Sequence, residues 1–231
     1  MTSAPQLQLS GETEEILTQV REFCFPGGVD SARRVRVVKI TEQGELRSAP
    51  AARWTPFTAQ LEVDATRSRL RWDAGFKGFR VTDAYDQNRG RLTIAVAGIP
   101  VKQMTGPEYD KGELQRYLAS FCVCPPMILN HPSLVCAAIS PLTLRLRDVT
   151  DPTGATVDLD FSEYGSPTVA HAERPRPLGR RIILTPWLAA AADFREWEGL
   201  RVASRMEAAW RLPEGLFTYY RAEVTSFTIV E

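Results

Sequence analysis

The spacing of apolar residues changes along the chain from a helical period to a strand period. Residues 12–24 place apolar side chains every three or four positions, which predicts a helix that ends at Pro26-Gly27-Gly28. Ser10 is its predicted N-cap, and residues 1–9 are polar and expected to be frayed. Apolar and polar residues then alternate, which predicts antiparallel strands with one buried face. The alternating segments are 34–40, 57–64, 69–76, 79–85, 91–96, 142–147, 157–162, 167–173, 180–188, 200–212 and 217–230.

One helical segment, Thr105–Phe121, interrupts these predicted strands. Thr105 is a predicted N-cap with Glu108 as its capping-box partner, and Pro107 suits the first turn, where no N–H is needed. The prolines at 125 and 126 predict that the helix ends before them. Its apolar side chains recur at helical spacing and form one face, made of Leu114, Tyr117, Leu118 and Phe121.

A sheet of about ten strands cannot stay flat, because strands twist and large sheets curl. We therefore predict a mainly β (α+β) fold in which a large curved antiparallel sheet forms an open or half β-barrel. The central helix would plug the concave side, and the N-terminal helix would pack on the sheet. No linker divides the chain, so we predict a single domain, 1–231, with an N-terminal helical segment, a first meander, the plug helix and a second meander at 1–30, 34–100, 105–130 and 133–231.

The amino-acid composition limits the classes of partner that we expect. The 231 residues include 28 basic and 28 acidic side chains, which argues against nucleic acid because phosphate binding needs a basic face. With 2 histidines and no Gly-rich phosphate loop, nucleophile elbow or His-Glu-x-x-His motif, we expect no metal and no cofactor. The four cysteines, at 24, 122, 124 and 136, are expected to be reduced and buried.

The sequence has no apolar stretch of membrane-spanning length, and its first residues lack the features of a signal peptide. We therefore expect a cytoplasmic protein. We also expect no transmembrane segment.

Ionisable groups on the central helix give the candidate catalytic residues. Asp110, Glu113 and Tyr117 fall along one edge of its apolar face, where they could act as acid, base or hydrogen-bond donor. The alternative is that these charges form a solvated helix cap and an ion pair between Glu113 and Arg116. A pairing of Cys122 or Cys124 with His131 is a further possibility.

Candidate ligand-binding residues come from strands and from the segment after the helix. Arg221 has the same parity as Tyr219, so it would be a buried cation paired with Asp110 or Glu113 if that side faces inward. The segment that leaves the helix should border the cavity. The full candidate set is Trp72, Tyr85, Arg116, Phe121, Cys122, Cys124, Met127, Trp187, Tyr219 and Arg221.

Several short segments, taken in order, resemble a family of bacterial proteins known only as a domain of unknown function. They include Trp54-Thr-Pro-Phe57, Gly106-Pro-Glu-Tyr-Asp110, Gly112-Glu-Leu-Gln-Arg-Tyr-Leu118, Thr185-Pro-Trp187, Glu207-Ala-Ala-Trp210 and Tyr219-Tyr-Arg221, spread over residues 35–231. The resemblance implies a fold similar to the lipoprotein-carrier half-barrel, whose members hold acyl chains in the concavity. It carries over no catalytic residue. The family runs on through Pro-Trp-Phe-Pro after the helix, whereas this chain has Ser120-Phe-Cys-Val-Cys-Pro-Pro126.

Two functions follow from an apolar cavity with a few polar groups. The first is a cofactor-independent enzyme, such as a cyclase, isomerase or lyase, that acts on an apolar metabolite through a carboxyl of raised pKa. The alternative is a non-catalytic carrier for a lipid or another hydrophobic ligand. In both cases the expected partner is a hydrophobic small molecule.

Overall fold

A computed structural model describes residues 11–179 and 181–231, which form one antiparallel sheet of thirteen strands and four α-helices. The helices are α1 Gly11–Cys24, α2 Val29–Arg34, α3 Pro107–Ala119 and α4 Met127–Asn130. The strands are β1 Val37–Leu46, β2 Thr55–Asp64, β3 Leu70–Phe76, β4 Phe79–Asp86, β5 Arg89–Val96, β6 Ile99–Thr105, β7 Leu134–Ser140, β8 Thr143–Asp148, β9 Val157–Phe161, β10 Pro167–Leu178, β11 Arg181–Trp197, β12 Leu200–Leu212 and β13 Gly215–Val230.

The sheet is open, with the order β6-β5-β4-β3-β2-β1-β13-β12-β11-β10-β9-β8-β7. The first and last strands of the chain are therefore neighbours at its middle, and β6 and β7 are its two edges. The predicted curved, mainly β fold that stays open is confirmed. The strand count was too low, because β6 and β7 have mostly exposed or half-buried side chains and lack clear alternation.

Helix α3 plugs the concave side, as predicted, and contacts β4 and β5 on one arm of the sheet and β9 and β10 on the other. Leu114, Tyr117 and Leu118 are fully buried on its apolar face. The predicted capping box is wrong, because β6 continues through Thr105 and Gly106 is the N-cap, without a side-chain cap. Gly90 lets the helix approach β5, since a Cβ at this position would lie 2.1 Å from the Tyr109 carbonyl oxygen.

Helix α1 confirms the predicted N-terminal helix and packs against β7 and β12. Its buried face includes Ile16, Leu17, Val20 and Cys24. The predictions for Ser10 and for residues 1–9 lie outside the described residues. Among the residues that are described, no helix combines the length and the apolar character needed to cross a bilayer.

The strand pair predicted at 167–173 and 180–188 is a hairpin, and its first strand is longer than predicted because the proline-rich residues after 173 continue it. Strand β10 runs through Pro175 and Pro177 to Leu178, and β11 begins at Arg181. On its other side β10 pairs with β9 only as far as His171. Prolines are tolerated beyond that point because an edge strand has no neighbour that needs their missing N–H. The register between β11 and β12 starts at Trp187, so the hairpin extends past both neighbouring strands.

Candidate ligand-binding cavity

A cavity of about 750 Å³ lies between helix α3 and the concave face of the sheet. This volume is within the range that small-molecule sites usually have. One face of α3 lines it at helical spacing, through Glu108, Gly112, Glu113, Arg116 and Ala119. The opposite face of the helix packs into the core, so α3 separates the core from the cavity.

Most of the cavity wall is apolar or aromatic. The apolar side chains include Leu46, Leu61, Phe76, Val81, Leu92, Ile94 and Met104 on one arm and Trp187, Trp210 and Phe217 on the other. Ala189 and Ala208 are cross-strand partners on β11 and β12, and both line the cavity. Because a pair of alanines leaves space that larger side chains would fill, these strands contribute to keeping the concavity open.

Five of the ionisable side chains in the wall form what we call the carboxylate–arginine cluster: Glu42, Asp83, Glu113, Arg116 and Arg174. Arg116 donates a hydrogen bond to Asp83, and its guanidinium lies 4.5 Å from the Trp72 ring centroid. Arg174 lies 3.6 Å from Glu113 Oε1 and donates to the Gly112 carbonyl. The cluster thus joins both arms of the sheet through the helix.

Glu42 lies deepest in the cluster and is fully buried. Its Oε1 atom accepts hydrogen bonds from Trp72 Nε1 at 2.5 Å and from the Tyr220 hydroxyl at 2.8 Å. Its second oxygen, Oε2, has no hydrogen-bond partner within the described part of the chain, and the same holds for Asp83 Oδ1 and Glu113 Oε2. Three buried carboxylates therefore each keep an oxygen free, which is unusual because buried polar atoms are normally paired.

Burial shifts the protonation of these carboxylates. It raises the pKa of Glu113 to about 7, with the nearby Asp83 carboxylate adding to the effect while Arg174 and Arg116 oppose it. Burial also raises the pKa of Glu42 and of Asp83, against the pull of neighbouring hydrogen bonds and Arg116. Three carboxyls face two guanidinium groups, so one carboxyl holds its proton more readily than it would in water. No group of three His, Cys, Asp or Glu side chains within 11–179 and 181–231 is arranged to hold a metal ion.

An aromatic group flanks the cluster on the second arm. Trp187 donates from Nε1 to the Tyr219 hydroxyl at 2.9 Å, and the Tyr219 ring stacks on Trp210 with centroids 5.8 Å apart. Arg174 lies 4.9 Å from the Trp187 ring centroid, which connects this group to the cluster. The result is a wall that presents ring faces and edges next to charged groups.

Comparison with known proteins identifies the family of this sequence. The model of the Family of unknown function (DUF6544) matches residues 18–222, nearly the whole chain. The chain belongs to this family. No curated protein matches its sequence.

Two solved structures share the fold of this DUF6544 member. A LolA superfamily protein from Nitrosomonas europaea is 11% identical with a TM-score of 0.50, and the match covers 95% of this chain and 94% of that chain. A DUF1329 family protein from Desulfovibrio piger ATCC 29098 is 7% identical with a TM-score of 0.52, and the match covers 95% of this chain and 94% of that chain. At these identities the likeness establishes the half-barrel fold, as the sequence resemblance implied.

The predicted site residues separate into two groups. Six of them line the cavity, namely Trp72, Glu113, Arg116, Cys122, Trp187 and Tyr219. The other seven, Asp110, Tyr117, Tyr85, Phe121, Cys124, Met127 and Arg221, lie elsewhere. That the first six bind a ligand stays a prediction.

Asp110 does not line the cavity, so it does not share a pocket with Glu113 as predicted, although the two residues are neighbours on the helix. Its Oδ1 atom accepts the Gly90 backbone N–H at 2.7 Å, and Oδ2 lies 3.3 Å from Arg89. The carboxylate therefore attaches the first turn of α3 to the turn between β4 and β5. The helical twist from Asp110 to Glu113 is large enough to direct the two carboxylates at different partners.

Two of the three predicted tyrosines are core residues. Tyr117 is fully buried, and its hydroxyl donates to the Asp64 carbonyl at 3.0 Å. Tyr85 is also buried and lies 3.3 Å from the Asn88 side-chain oxygen. Burial raises the pKa of both hydroxyls, which makes neither an acid at neutral pH. Both were selected on strand or helix parity, which does not distinguish the core from a cavity on the same side.

Arg221 lies on the convex face, so its predicted pairing with Asp110 or Glu113 is wrong. It forms an ion pair with Glu45 at 2.5 Å and contacts the Trp54 ring. A bulge between Ala208 and Ala209 shifts the β12–β13 register. Tyr220, rather than Tyr219 or Arg221, reaches Glu42.

The segment after α3 contributes Ser120, Cys122 and Val123 to the cavity wall. Phe121, Cys124 and Met127 are fully buried in the core. Neither Cys122 nor Cys124 pairs with His131, because these thiols contact the carbonyls of Ala119 and Val63. Burial raises the pKa of Cys122 to about 12, so it is not a ready nucleophile.

Sequence reasoning missed four residues of the site: Glu42, Asp83, Arg174 and Tyr220. Two of them carried a detectable signal. Glu42 continues the inward parity of Val38 and Ile40, and Asp83 has the parity of Val81 and Tyr85. A charged residue at an inward position of a strand is a candidate site residue for that reason. Arg174 and Tyr220 had no such signal, because neither the continuation of β10 past residue 173 nor the bulge in the β12–β13 register was predicted.

Proposed function

We propose that this chain binds a hydrophobic or amphipathic small molecule in the concave cavity and acts as a carrier or binding protein. The observation that carries the proposal is the cavity itself: about 750 Å³, walled mainly by apolar and aromatic side chains, with one polar cluster. A well-packed half-barrel has no need of such a space, because proteins normally fill their interiors. The shared fold with a LolA superfamily protein supports the carrier alternative over catalysis.

The polar cluster indicates which head group such a ligand carries. Glu42, Asp83 and Glu113 each keep one buried oxygen without a donor among the described residues, whereas both arginines are already engaged. A head group with hydroxyl or amino donors would pair with these oxygens, while an added anion would face three carboxyls. We therefore favour a neutral or cationic hydrogen-bond donor attached to an apolar body.

A cofactor-independent enzyme remains the second candidate, and one observation favours it. Burial and Asp83 bring the pKa of Glu113 to about 7, which suits a general acid or base at neutral pH. Of the three predicted catalytic residues, only Glu113 lines the cavity. Proton-transfer chemistry, such as isomerisation or cyclisation, would then use Glu113 together with Glu42 and Asp83, the two other buried carboxyls of the cavity wall.

Native mass spectrometry of the protein as expressed, followed by denaturing extraction, tests the proposal. We expect a stoichiometric apolar or amphipathic compound with hydroxyl or amino groups, bound and unchanged. Recovery of two related compounds that interconvert when fresh protein is added would favour the enzyme. A protein that arrives empty and takes up no fluorescent fatty amine or fatty alcohol would overturn the proposal.

A matched pair of variants on β11 ties the ligand to the cavity. Ala189→Trp fills the cavity, because Ala189 lines it. Ala192→Trp adds the same volume at a position of the same strand that does not line the cavity. We expect the first variant to lose the bound compound and the second to keep it. Equal retention by both would place the ligand elsewhere.

A further inference from the structure

Five segments meet at the end of the sheet where the cavity opens. Their register places them together: Phe79 pairs with Val96, Val96 pairs with Ile99, and the β10–β11 and β12–β13 tips close at Leu178–Arg181 and Leu212–Gly215. Four of the segments also contribute to the cavity wall, through Arg47, Phe79, Ile182 and Phe217 among others. We call residues 46–55, 76–80, 95–102, 175–179, 181–184 and 210–217 the open rim.

The open rim holds most of the exposed large apolar side chains. Nine of those in the described chain lie on it: Phe79, Val96, Ile99, Val101, Leu178, Ile182, Ile183, Leu184 and Leu216. The other four, Ile139, Val149, Tyr164 and Val230, lie on separate segments elsewhere. Single exposed apolar residues need no explanation, but their concentration around one opening indicates an interaction surface.

The same rim is strongly basic, although the whole chain has 28 basic and 28 acidic residues. Its described residues include a single carboxylate, Glu214, and eight cations: Arg47, Arg53, Lys77, Arg80, Lys102, Arg176, Arg181 and Arg211. None of these eight forms a salt bridge with another described residue. Glu45, one position before the rim, is already paired with Arg221 at 2.5 Å.

Arginines elsewhere on the surface behave differently. Arg71 lies 2.6 Å from Asp73, and Arg145 lies 2.7 Å from Asp158. Salt bridges are therefore common on the surface of this protein, but the described cations of the rim form none. An unpaired basic surface mixed with apolar side chains is complementary to a layer of anionic head groups over hydrocarbon.

We propose that the open rim docks on the surface of a lipid bilayer that contains anionic lipids, with the cavity mouth facing the membrane. The apolar side chains sit on separate hairpin tips around an opening, and a deformable bilayer can contact all of them at once. The β10–β11 hairpin fits this role best, because it extends past both neighbouring strands and exposes Leu178, Ile183 and Leu184. An apolar ligand could then pass between membrane and cavity without crossing water.

Sedimentation with vesicles tests the docking without any cavity ligand. Wild-type protein should bind vesicles of equimolar phosphatidylcholine and phosphatidylglycerol at least about tenfold more tightly than pure phosphatidylcholine vesicles, and added salt should weaken the binding. The charge variant Lys77→Gln/Arg80→Gln/Lys102→Gln/Arg181→Gln changes only cations that do not line the cavity. It should lose at least about tenfold in affinity for the anionic vesicles.

Two matched control variants distinguish the loss of rim side chains from the loss of charged or apolar side chains anywhere on the surface. Arg33→Gln/Arg36→Gln/Arg91→Gln/Arg147→Gln removes four exposed cations outside the rim, none in a salt bridge with a described residue, and should bind as wild type does. Ile139→Ser/Val149→Ser/Tyr164→Ser should also bind normally, whereas Ile99→Ser/Leu178→Ser/Leu184→Ser should bind weakly even when its circular dichroism is unchanged.

The proposal is overturned if wild-type protein ignores anionic vesicles, or if the control and rim variants lose binding equally. Retention on an immobilised acidic protein but not on vesicles would overturn it as well, and would assign the rim to a protein partner. Uptake of a fluorescent fatty amine is measured separately on the same variants. Loss of uptake with normal sedimentation would count against the cavity function and leave the docking proposal standing.

Discussion

Two regions of this protein bury charged groups. The carboxylate oxygens have hydrogen-bond partners throughout the first region and only in part in the second. Ser68, His131 and Asp148 form what we call the His131 network, in which the Ser68 hydroxyl contacts His131 Nε2 and Asp148 Oδ2, and these two atoms lie 3.7 Å apart. Both oxygens of Asp148 accept hydrogen bonds, from Ser68 at 2.6 Å and from the backbone and side chain of Thr150 at 2.9 and 2.7 Å. In the carboxylate–arginine cluster, by contrast, three carboxylates each keep a buried oxygen free.

The pKa shifts of the carboxyls in these two regions have opposite directions, because their hydrogen bonding differs. Burial alone would raise the pKa of Asp148, but hydrogen bonds from Ser68 and Thr150 outweigh it and lower the pKa. In the cavity, burial dominates and raises the pKa of Glu42, Asp83 and Glu113. Fully paired charges stabilise a fold, whereas underpaired charges beside a cavity reduce stability and are suited to binding. This difference between the two regions supports the proposal that the carboxylate–arginine cluster binds a ligand.

The largest effect should follow from Asp148→Ala in the His131 network. The change removes a buried carboxylate and leaves the Thr150 N–H and the hydroxyls of Ser68 and Thr150 without their shared acceptor. We expect a loss of about 3–4 kcal/mol in the free energy of unfolding, since hydrogen bonds to charged groups are the strong ones. Urea denaturation at neutral pH measures it.

Glu223→Ala is the control for that experiment, because its ion pair with Arg195 is exposed on both sides. Such pairs contribute little, so the control should stay within about 1 kcal/mol of wild type. An equally small change for Asp148→Ala would show that the hydrogen-bonded network is not a source of stability, and the contrast with the cavity would fail.

Glu113→Gln should have the opposite effect and raise the free energy of unfolding near pH 8. The folded pKa of Glu113 is raised by burial to about 7 from 4.5, so its contribution to stability is full below the unfolded value and is lost as pH rises through the folded value. Gln resembles the protonated form at every pH. The variant should therefore be more stable than wild type by about 2–3 kcal/mol near pH 8 and about equal near pH 4.

Urea denaturation of both proteins across this pH range measures the difference. Glu62→Gln, which changes a half-buried strand glutamate next to Lys39 at 3.2 Å, is the matched control and should show no such crossover. If Glu113→Gln is less stable than wild type near pH 8, its ion pair with Arg174 outweighs burial, and the cluster resembles the His131 network after all.

The sequence predicted the fold better than the site, and the reason is physical. Alternation in segments such as 57–64 and 69–76 reports which face is buried, and that was enough for a curved sheet with a plug helix. Inward parity does not say whether a side chain meets the core or a cavity. Tyr85 and Asp83 have the same parity, yet Asp83 lines the cavity and Tyr85 does not.

Residues placed by irregular geometry could not be predicted at all. Arg174 reaches Glu113 because the proline-rich hairpin continues β10, and Tyr220 reaches Glu42 next to a bulge in the β12–β13 register. Local sequence does not encode these features strongly, since they depend on which neighbouring strand is absent or shifted. The positions of charged residues would have been the better guide, because Glu42 and Asp83 interrupt an apolar inward pattern and belong to the cluster.

The smallest expected effect is that of Asp110→Asn, on the same helix as Glu113. The amide oxygen of Asn can still accept the Gly90 N–H that Asp110 accepts at 2.7 Å, and only the ion pair with Arg89, whose side chain is 79% exposed, is lost. We expect less than about 1 kcal/mol of destabilisation by urea denaturation and an unchanged cavity ligand by native mass spectrometry. Asp110→Ala removes the acceptor as well and should cost about 1–2 kcal/mol, again without loss of ligand. If Asp110→Asn releases the ligand while the fold stays intact, Asp110 belongs to the binding site, and the division between anchoring and ligand-facing carboxylates on α3 is wrong.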